Sequence, residues 1–343
     1  MANDTRAPVL LLGGAGIVGS RTARVLRRLH PDLRLAVAGR DRAKGEALAR
    51  EVGLTEVVQV DLTQPDLGLD PAASYSAVVA LLKENTLNPL RYAQAAGLPY
   101  LSMADGAFEI GPAVSFHMYR PSRSPMLLAS HWVAGMATLP AVKLAREFRS
   151  VSAVEIAVLL DETDVLGPMA HEDVQQVMQN SPRPLMLDNG VWRWAGEGLS
   201  HRRVTSASGA PVEVQGLSVL DTLSLAAASD ARSVRFDFGM AAAGGAGADG
   251  QVAHEMIIEI EGERQDGGKG RVRLDISAPQ GTSGLTALGV ALGVERLLGL
   301  AGGAPVAPGL YYPELIIDPQ HAIERLQAFG GTIRQTERSA VPA

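Results

Sequence analysis

The feature that most constrains this chain lies at residues 9–19. The apolar run Val9-Leu10-Leu11-Leu12 stops at Gly13-Gly14-Ala15-Gly16-Ile17-Val18-Gly19. Behind it Val18, Thr22, Val25, Leu26 and Leu29 recur at helical spacing, and Arg21, Arg24, Arg27 and Arg28 take the opposite face. A short buried strand, a Gly14-x-Gly16-x-x-Gly19 turn and an amphipathic helix in direct succession leave few folds open. The first glycine of such a turn permits a tight bend. The second lets backbone approach a pyrophosphate, and the third lets helix and strand pack closely. The helix then offers free N–H groups and the positive end of its dipole to phosphate. The pattern points to a dinucleotide-binding βαβ unit.

The rhythm continues beyond the turn. Strands are expected at 33–38, 57–60, 75–82, 100–103 and 126–129, with helices at 42–51 and 89–96 between them. Strands that are apolar throughout, alternating with helices, predict a parallel sheet covered on both faces. From about residue 150 the pattern changes. Val234 to Phe238 and Arg271 to Ile276 alternate strictly, 155–160 opens the new series, and His254 to Glu261 alternates less cleanly. Asp188-Asn189-Gly190 between Leu185-Leu187 and Val191-Trp194 reads as a hairpin turn. Helices are expected at 133–147, 170–179, 285–299 and 319–329, the last ending at Gly330-Gly331, and the alanine- and glycine-rich stretch 241–250 as a loop. The fold class is therefore α/β: a doubly wound Rossmann parallel sheet in residues 1–130, followed by an α+β domain with a largely antiparallel sheet in residues 131–318.

Composition narrows the function. Hydrophobic residues make up 46% of the 343 and charged residues 20%, enough for a normal core and too apolar for wholesale disorder. The net charge of -6 and the absence of a basic patch argue against a nucleic-acid partner. No apolar run approaches the length that spans a bilayer. The segment Pro8 to Leu12 breaks off too soon for a secretory leader and reads as a strand. There is no cysteine, which removes thiolate metal sites and a cysteine nucleophile and fits a cytoplasmic protein. The seven histidines show no metal-ligand spacing, so no metal site is expected. No Tyr-x-x-x-Lys pair occurs, which excludes the usual short-chain dehydrogenase dyad, and no Gly-x-Ser-x-Gly elbow supports a hydrolase.

The cofactor follows from the end of the second strand, Val37-Ala38-Gly39-Arg40. An NAD site places an acid near this point to hold the ribose hydroxyls. Here Arg40 stands there, with Arg42 and Lys44 close behind, and a guanidinium pairs well with a 2′-phosphate. Asp41 is one residue away and keeps NAD open as the less favoured choice. NADP(H) is expected, bound by residues 13–19, Gly39, Arg40, Asp41, Arg42, Lys44, Asp61, Leu81, Leu82 and Lys83. Asp61 ends the third expected strand and either lies beside the adenine or caps a loop. Three side chains are candidates for catalysis at the nicotinamide edge: Lys83, one of four lysines; Asp105, an acid–base group or a helix cap; and His131, a proton donor or a histidine satisfied by its surroundings. His131 lies in Ala129-Ser130-His131-Trp132-Val133-Ala134-Gly135, where the first domain hands over to the second.

These residues resemble the saccharopine dehydrogenase-like reductases. The resemblance rests on residues 9–19 with Val37-Ala38-Gly39-Arg40, on Ala93-Gln94-Ala95-Ala96-Gly97-Leu98-Pro99-Tyr100-Leu101-Ser102, and on Ala307-Pro308-Gly309-Leu310-Tyr311-Tyr312-Pro313-Glu314 followed by Asp318. It implies a nicotinamide-dependent oxidoreductase acting on a small molecule, a second domain whose sheet carries substrate contacts and often a dimer interface, hence a homodimer, and a closing helix 319–330 that packs back on the first domain. The chain departs from the family at Leu81-Leu82-Lys83-Glu84-Asn85-Thr86-Leu87-Asn88-Pro89, where many members carry a Gly-Pro-Phe-like turn. Hydride transfer to an imine of opine type leads. A trans-acting enoyl reductase and a non-catalytic NADP-binding sensor are the alternatives. Arg120, Arg123, Arg202 and Arg203 are available for substrate carboxylates, or as surface charges.

Overall fold

A computed structural model of the chain describes residues 7–103, 106, 107, 109–120, 123–161, 164, 179, 182–241 and 254–338. The expected helix at 170–179 and nearly all of the loop at 241–250 lie outside the described residues. The chain divides into two compact units, Met1–Ser130 with Thr286–Ile317, and His131–Leu285 with Asp318–Ala343.

The first unit runs β1 (Val9–Leu12), α1 (Ile17–Leu29), β2 (Leu35–Ala38), α2 (Arg42–Val52), β3 (Thr55–Val58), β4 (Ala77–Ala80), α3 (Asn88–Ala96), β5 (Tyr100–Ser102), α4 (Gly111–Tyr119) and β6 (Pro125–Leu128). A later strand, β15 (Gly309–Tyr311), joins them, and the sheet order is β15-β6-β5-β4-β1-β2-β3, with every pair parallel. Residues 9–12, 35–38, 77–80 and 125–128 are buried along their whole length, which is why these strands read as unbroken apolar runs. The third strand is shifted from its expected place at 57–60 to Thr55–Val58, and Asp61 falls beyond it in a turn. Neither α4 nor β15 was expected: α4 has no helical stripe to read, and β15 is only three residues long. The return segment is tied in by α7 (Gly281–Leu298), whose Glu295 is bonded to His30 at the end of α1 at 2.9 Å.

The second unit is built on a nine-stranded mixed sheet. Its central strand β7 (Phe148–Asp161) lies parallel to β12 (Ser233–Ala241) and antiparallel to β13 (His254–Arg264). Beyond β13 come β14 (Lys269–Ala278) and β16 (Thr332–Arg338), both antiparallel. On the other side, β10 (His201–Thr205) and β11 (Pro211–Gly216) extend β12, and the hairpin β8 (Leu185–Asp188) and β9 (Val191–Trp194) pairs with it through β8. One face is apolar: Ile156, Phe236, Ile258 and Leu274 are aligned by the register and no more than 5% exposed. The opposite face carries Glu155, Asp237, Glu259 and Arg273, one position along on the same strands. The closing helix α8 (Pro319–Ala328) packs against α5 (Thr138–Ala145), both in the second unit. Residues 286–317 are grouped with the first unit. Among the described residues no helix is long and apolar enough to cross a membrane.

The expected helix at 133–147 begins only at Thr138. A single turn at Trp132–Gly135 precedes it, with Val133 at φ 46° and Ala134 at φ 54°, both left-handed. Such residues cost roughly 1–2 kcal/mol each. The turn is held by Asp221, fully buried in the first turn of α6 (Leu220–Ser229), whose carboxylate accepts from the Trp132 N–H at 2.7 Å and the Thr138 hydroxyl at 2.5 Å. Burial pushes the Asp221 carboxyl up to about 6, against the opposing pull of these two donors. The sign for stability follows. The unfolded carboxyl ionises near its ordinary 3.8 while the folded one holds its proton to about 6. Ionisation therefore destabilises the fold progressively over that window and fully above it, by about 3 kcal/mol at 1.36 kcal/mol per unit. Urea unfolding of the wild type and of Asp221→Asn at pH 4 and pH 7 should show the wild type losing stability relative to the variant as pH rises. A difference that is constant with pH would contradict the assignment.

Candidate functional site

The order of the first sheet reverses between β1 and β4, so a crevice opens outside their C-terminal ends, where ligands of doubly wound sheets bind. The glycine turn fills this position. Gly13 takes a left-handed φ of 79° and its N–H donates to the Ala38 carbonyl at 2.8 Å, tying the turn to β2. The Gly14 N–H donates to the Leu11 carbonyl at 3.1 Å. Gly19 lies hard against the turn: a Cβ there would stand 2.6 Å from Gly14 Cα and 2.8 Å from its carbonyl carbon. No side chain of that helix end competes for its N–H groups. Gly16 caps α1 without a side-chain hydrogen bond, and the first turn holds no acid. The N–H groups of Ile17, Val18 and Gly19 have no i−4 partner within the helix. Backbone close enough to touch a ligand and a bare positive helix end fit a pyrophosphate.

The residues behind β2 separate by role. Asp41 caps α2, accepting from the Lys44 N–H at 3.1 Å, and its other oxygen lies 3.6 Å from Lys44 Nζ. The cap bond, more than Lys44's charge, holds its carboxyl below the usual range despite slight desolvation. Arg42 pairs with Glu46 at 2.8 Å, one helical turn on. Arg40 is exposed and has no ion-pair partner among the described residues. Gly39 lies beside the turn, within 3.4 Å of Ala15 Cβ on the same measure. Asp61 is a turn former: it accepts from the Thr63 N–H at 3.0 Å, the Thr63 hydroxyl at 2.7 Å and the Gln64 amide at 2.9 Å. These donors keep its carboxyl low and leave its oxygens committed to the loop.

Beyond β4, Leu81 is buried, and Leu82 Cβ comes within 3.3 Å of the place where a Gly13 Cβ would lie. Lys83 follows on the same edge. Its ammonium donates to both oxygens of Glu109, at 2.8 and 2.9 Å. Burial pushes the Glu109 carboxyl up, but Lys83 and the Gly106 N–H, which donates at 2.8 Å, outweigh it and keep the group ionised. Nothing in the sequence marked Glu109, which follows Asp105 in the segment before α4 and lies 26 residues from Lys83. Asp105 lies outside the described residues.

His131 belongs to the second unit and does not suit the role of proton donor. It is 4% exposed and shares a hydrogen bond with the Ser224 hydroxyl at 2.9 Å. Burial drives its pKa down to about 3, so the ring is neutral at pH 7 and carries no proton to give as an imidazolium. The neighbouring Trp132 matters more to the local structure. Its indole N–H donates to His254 Nε2 at 2.9 Å, which leaves the His254 proton on Nδ1, facing the Thr282 hydroxyl at 3.2 Å. That hydroxyl donates to Asp164 at 2.7 Å, and the indole packs on Phe236 and Phe238. Arg120 stacks over Phe116 at 5.3 Å, whereas Arg202 is half-buried in the charged face of the second sheet. Among the described residues no group of three or more His, Asp or Glu is disposed to hold a metal ion.

No family model matches the chain, and no curated protein matches it in sequence. Solved structures do. Apo saccharopine dehydrogenase (L-Glu forming) from Saccharomyces cerevisiae aligns over 97% of this chain and 100% of its own, with a TM-score of 0.70 at 13% identity. GenD2 from gentamicin A biosynthesis, solved in complex with NAD, aligns over 99% and 98% with a TM-score of 0.48 at 17% identity. An oxidoreductase from Agrobacterium radiobacter, in complex with NAD+, L-tartaric acid and magnesium, aligns over 97% and 98% with a TM-score of 0.49 at 11% identity. At these identities the likeness is one of fold, and the first of the three carries it: the chain has a saccharopine dehydrogenase-like fold.

Proposed function

We propose that this chain is an NADPH-dependent reductase that delivers hydride to the C=N bond of a small metabolite. The observation that carries the cofactor choice is the pair Arg40 and Asp41. The acid is committed to capping α2, while the guanidinium is exposed and unpaired among the described residues, at the position from which a 2′-phosphate is held. The glycine turn and the bare end of α1 receive the pyrophosphate. When bound, the dinucleotide supplies the hydride, and the chain's own residues must orient substrate and provide one proton.

Lys83 is the proton donor in this reading. Reduction of an imine adds hydride to carbon and a proton to nitrogen, and an ammonium on the nicotinamide edge of the sheet supplies that proton. Glu109, ionised and bonded through both oxygens, orients the ammonium. The choice of an imine draws on the fold shared with saccharopine dehydrogenase and on the resemblance of residues 9–19, 93–102 and 307–314 to that group.

Two measurements test the proposal. Arg40→Ser should weaken NADPH binding about 10- to 100-fold, the worth of one charge-assisted contact of 1.5–3 kcal/mol, and leave NADH binding unchanged. Equal NADPH affinity in both proteins would remove Arg40 from the site. Lys83→Ala should lower kcat by at least about 100-fold with NADPH affinity retained, followed by NADPH absorbance over a panel of keto acids with amino acids. Tight NADPH binding by the wild type with no turnover across that panel would overturn the reductase and favour a sensor.

A further inference from the structure

The face of the second sheet that carries Glu155 and Glu259 holds an ordered group of charged side chains beside a small apolar cluster, and none of it enters the chemistry above. Register alone aligns Arg235, Glu155, Glu259 and Arg273 across β12, β7, β13 and β14. The β10–β11 ribbon reaches over this face. Arg202 from β10 donates through Nε to Asp237 on β12 at 2.7 Å and pairs through Nη1 with Glu155 on β7. A cavity of about 200 Å³ remains, lined by Arg202, Arg203, Arg271, Arg273, Glu155 and Glu259 among others. Its wall thus presents four guanidiniums and two carboxylates. The compensating acids Asp237 and Asp275 are buried and are not part of the lining.

Two of these guanidiniums are rigidly held and incompletely used. Arg273, with its side chain 4% exposed, is fixed by Asp275 at 2.7 Å through Nε and by the Thr205 carbonyl at 2.6 Å. Its Nη1 lies 3.8 Å from the nearest Glu259 oxygen, beyond hydrogen-bond reach. Arg271 donates through Nη2 to Glu259 at 2.6 Å and to Glu155 at 3.4 Å, and its Nη1 is 3.9 Å from Glu261, beyond hydrogen-bond reach. The two residues are one apart on the same strand face, so their heads are spaced by about 7 Å. Each therefore keeps an Nη1 beyond hydrogen-bond reach of these acids, and a fixed guanidinium N–H facing a cavity of this size is the chemistry that recognises a carboxylate or phosphate, because little side-chain entropy remains to be lost.

We infer that this cavity of the second unit is a binding site for a small oxyanion-bearing metabolite, carboxylate or phosphate, held by Arg202, Arg271 and Arg273. The inference does not rest on the proposed hydride chemistry, so it is tested on the full chain without nucleotide. Isothermal titration calorimetry with glutarate and, separately, with inorganic phosphate distinguishes the two sources. At least one should bind the wild type. Arg271→Lys keeps the charge against Glu155 and Glu259 and removes the Nη1 donor, and should weaken that binding at least about tenfold. Arg203→Ala, at an exposed position that puts no fold at risk, should weaken it several-fold by lowering the positive charge of the wall. Absence of heat with both anions, or equal affinity in the wild type and Arg271→Lys, overturns the inference.

Discussion

The close approach of α1 to the turn after β1 is the contact on which the first unit depends. Gly19 allows it, since a side chain there would collide with the Gly14 backbone. That contact aims the helix end at the C-terminal edge of the sheet, and the parallel order of the strands does the rest. β4 lies beside β1 and β5 beside β4, so whatever follows each strand is delivered to the same edge. Lys83 arrives there because it ends the run after β4, and Arg40 because it follows β2. The site is thus a product of strand order as much as of side chains.

The second unit is organised by the disposal of buried charge and polarity. Asp221 holds a left-handed turn in place with two hydrogen bonds, at the cost of a carboxyl that prefers its proton. A chain from Trp132 through His254 and Thr282 to Asp164 fixes one tautomer of a fully buried imidazole. The sheet then sorts its residues by parity: one face is apolar, and the other joins a set of arginines and acids to a smaller apolar cluster around Leu159 and Ile257. Buried ion pairs of this kind gain little net stability, because desolvation offsets attraction, but they hold each guanidinium in one orientation. Rigid donors around a cavity are the consequence.

How much of the site was legible follows the same division. The glycine turn, Arg40 and Lys83 each lie within a few residues of a recognisable strand end, which is what singles them out in the sequence as candidates. For Asp61 and His131 the sequence left two roles open, and the surroundings favour the structural one in each. Asp61 lies three residues past a strand that ends sooner than its apolar pattern suggests, and its oxygens are taken by the Thr63 and Gln64 side chains and the Thr63 N–H. His131 looked placed for proton transfer, but burial and Ser224 make it a neutral core residue. Glu109 could not be found at all, since only the fold brings it to Lys83.

Periodicity and turn chemistry in the sequence determined most strands and helices of the first unit, though not α4 or β15, its parallel sheet, the hairpin at Asn189-Gly190 and the glycine turn. These are local: each depends on residues within one or two turns of chain. Tertiary structure alone decided that residues 286–317 group with the first unit and α8 with the second, that β12 runs parallel to β7, and that Val133 and Ala134 break the expected helix. It also decided that Asp41 is spent on a helix cap while Arg40 stays free of ion pairs among the described residues. Such outcomes turn on partners distant in sequence, on which strand neighbours which and on which polar groups lose their water, and neither is written in any short window of residues.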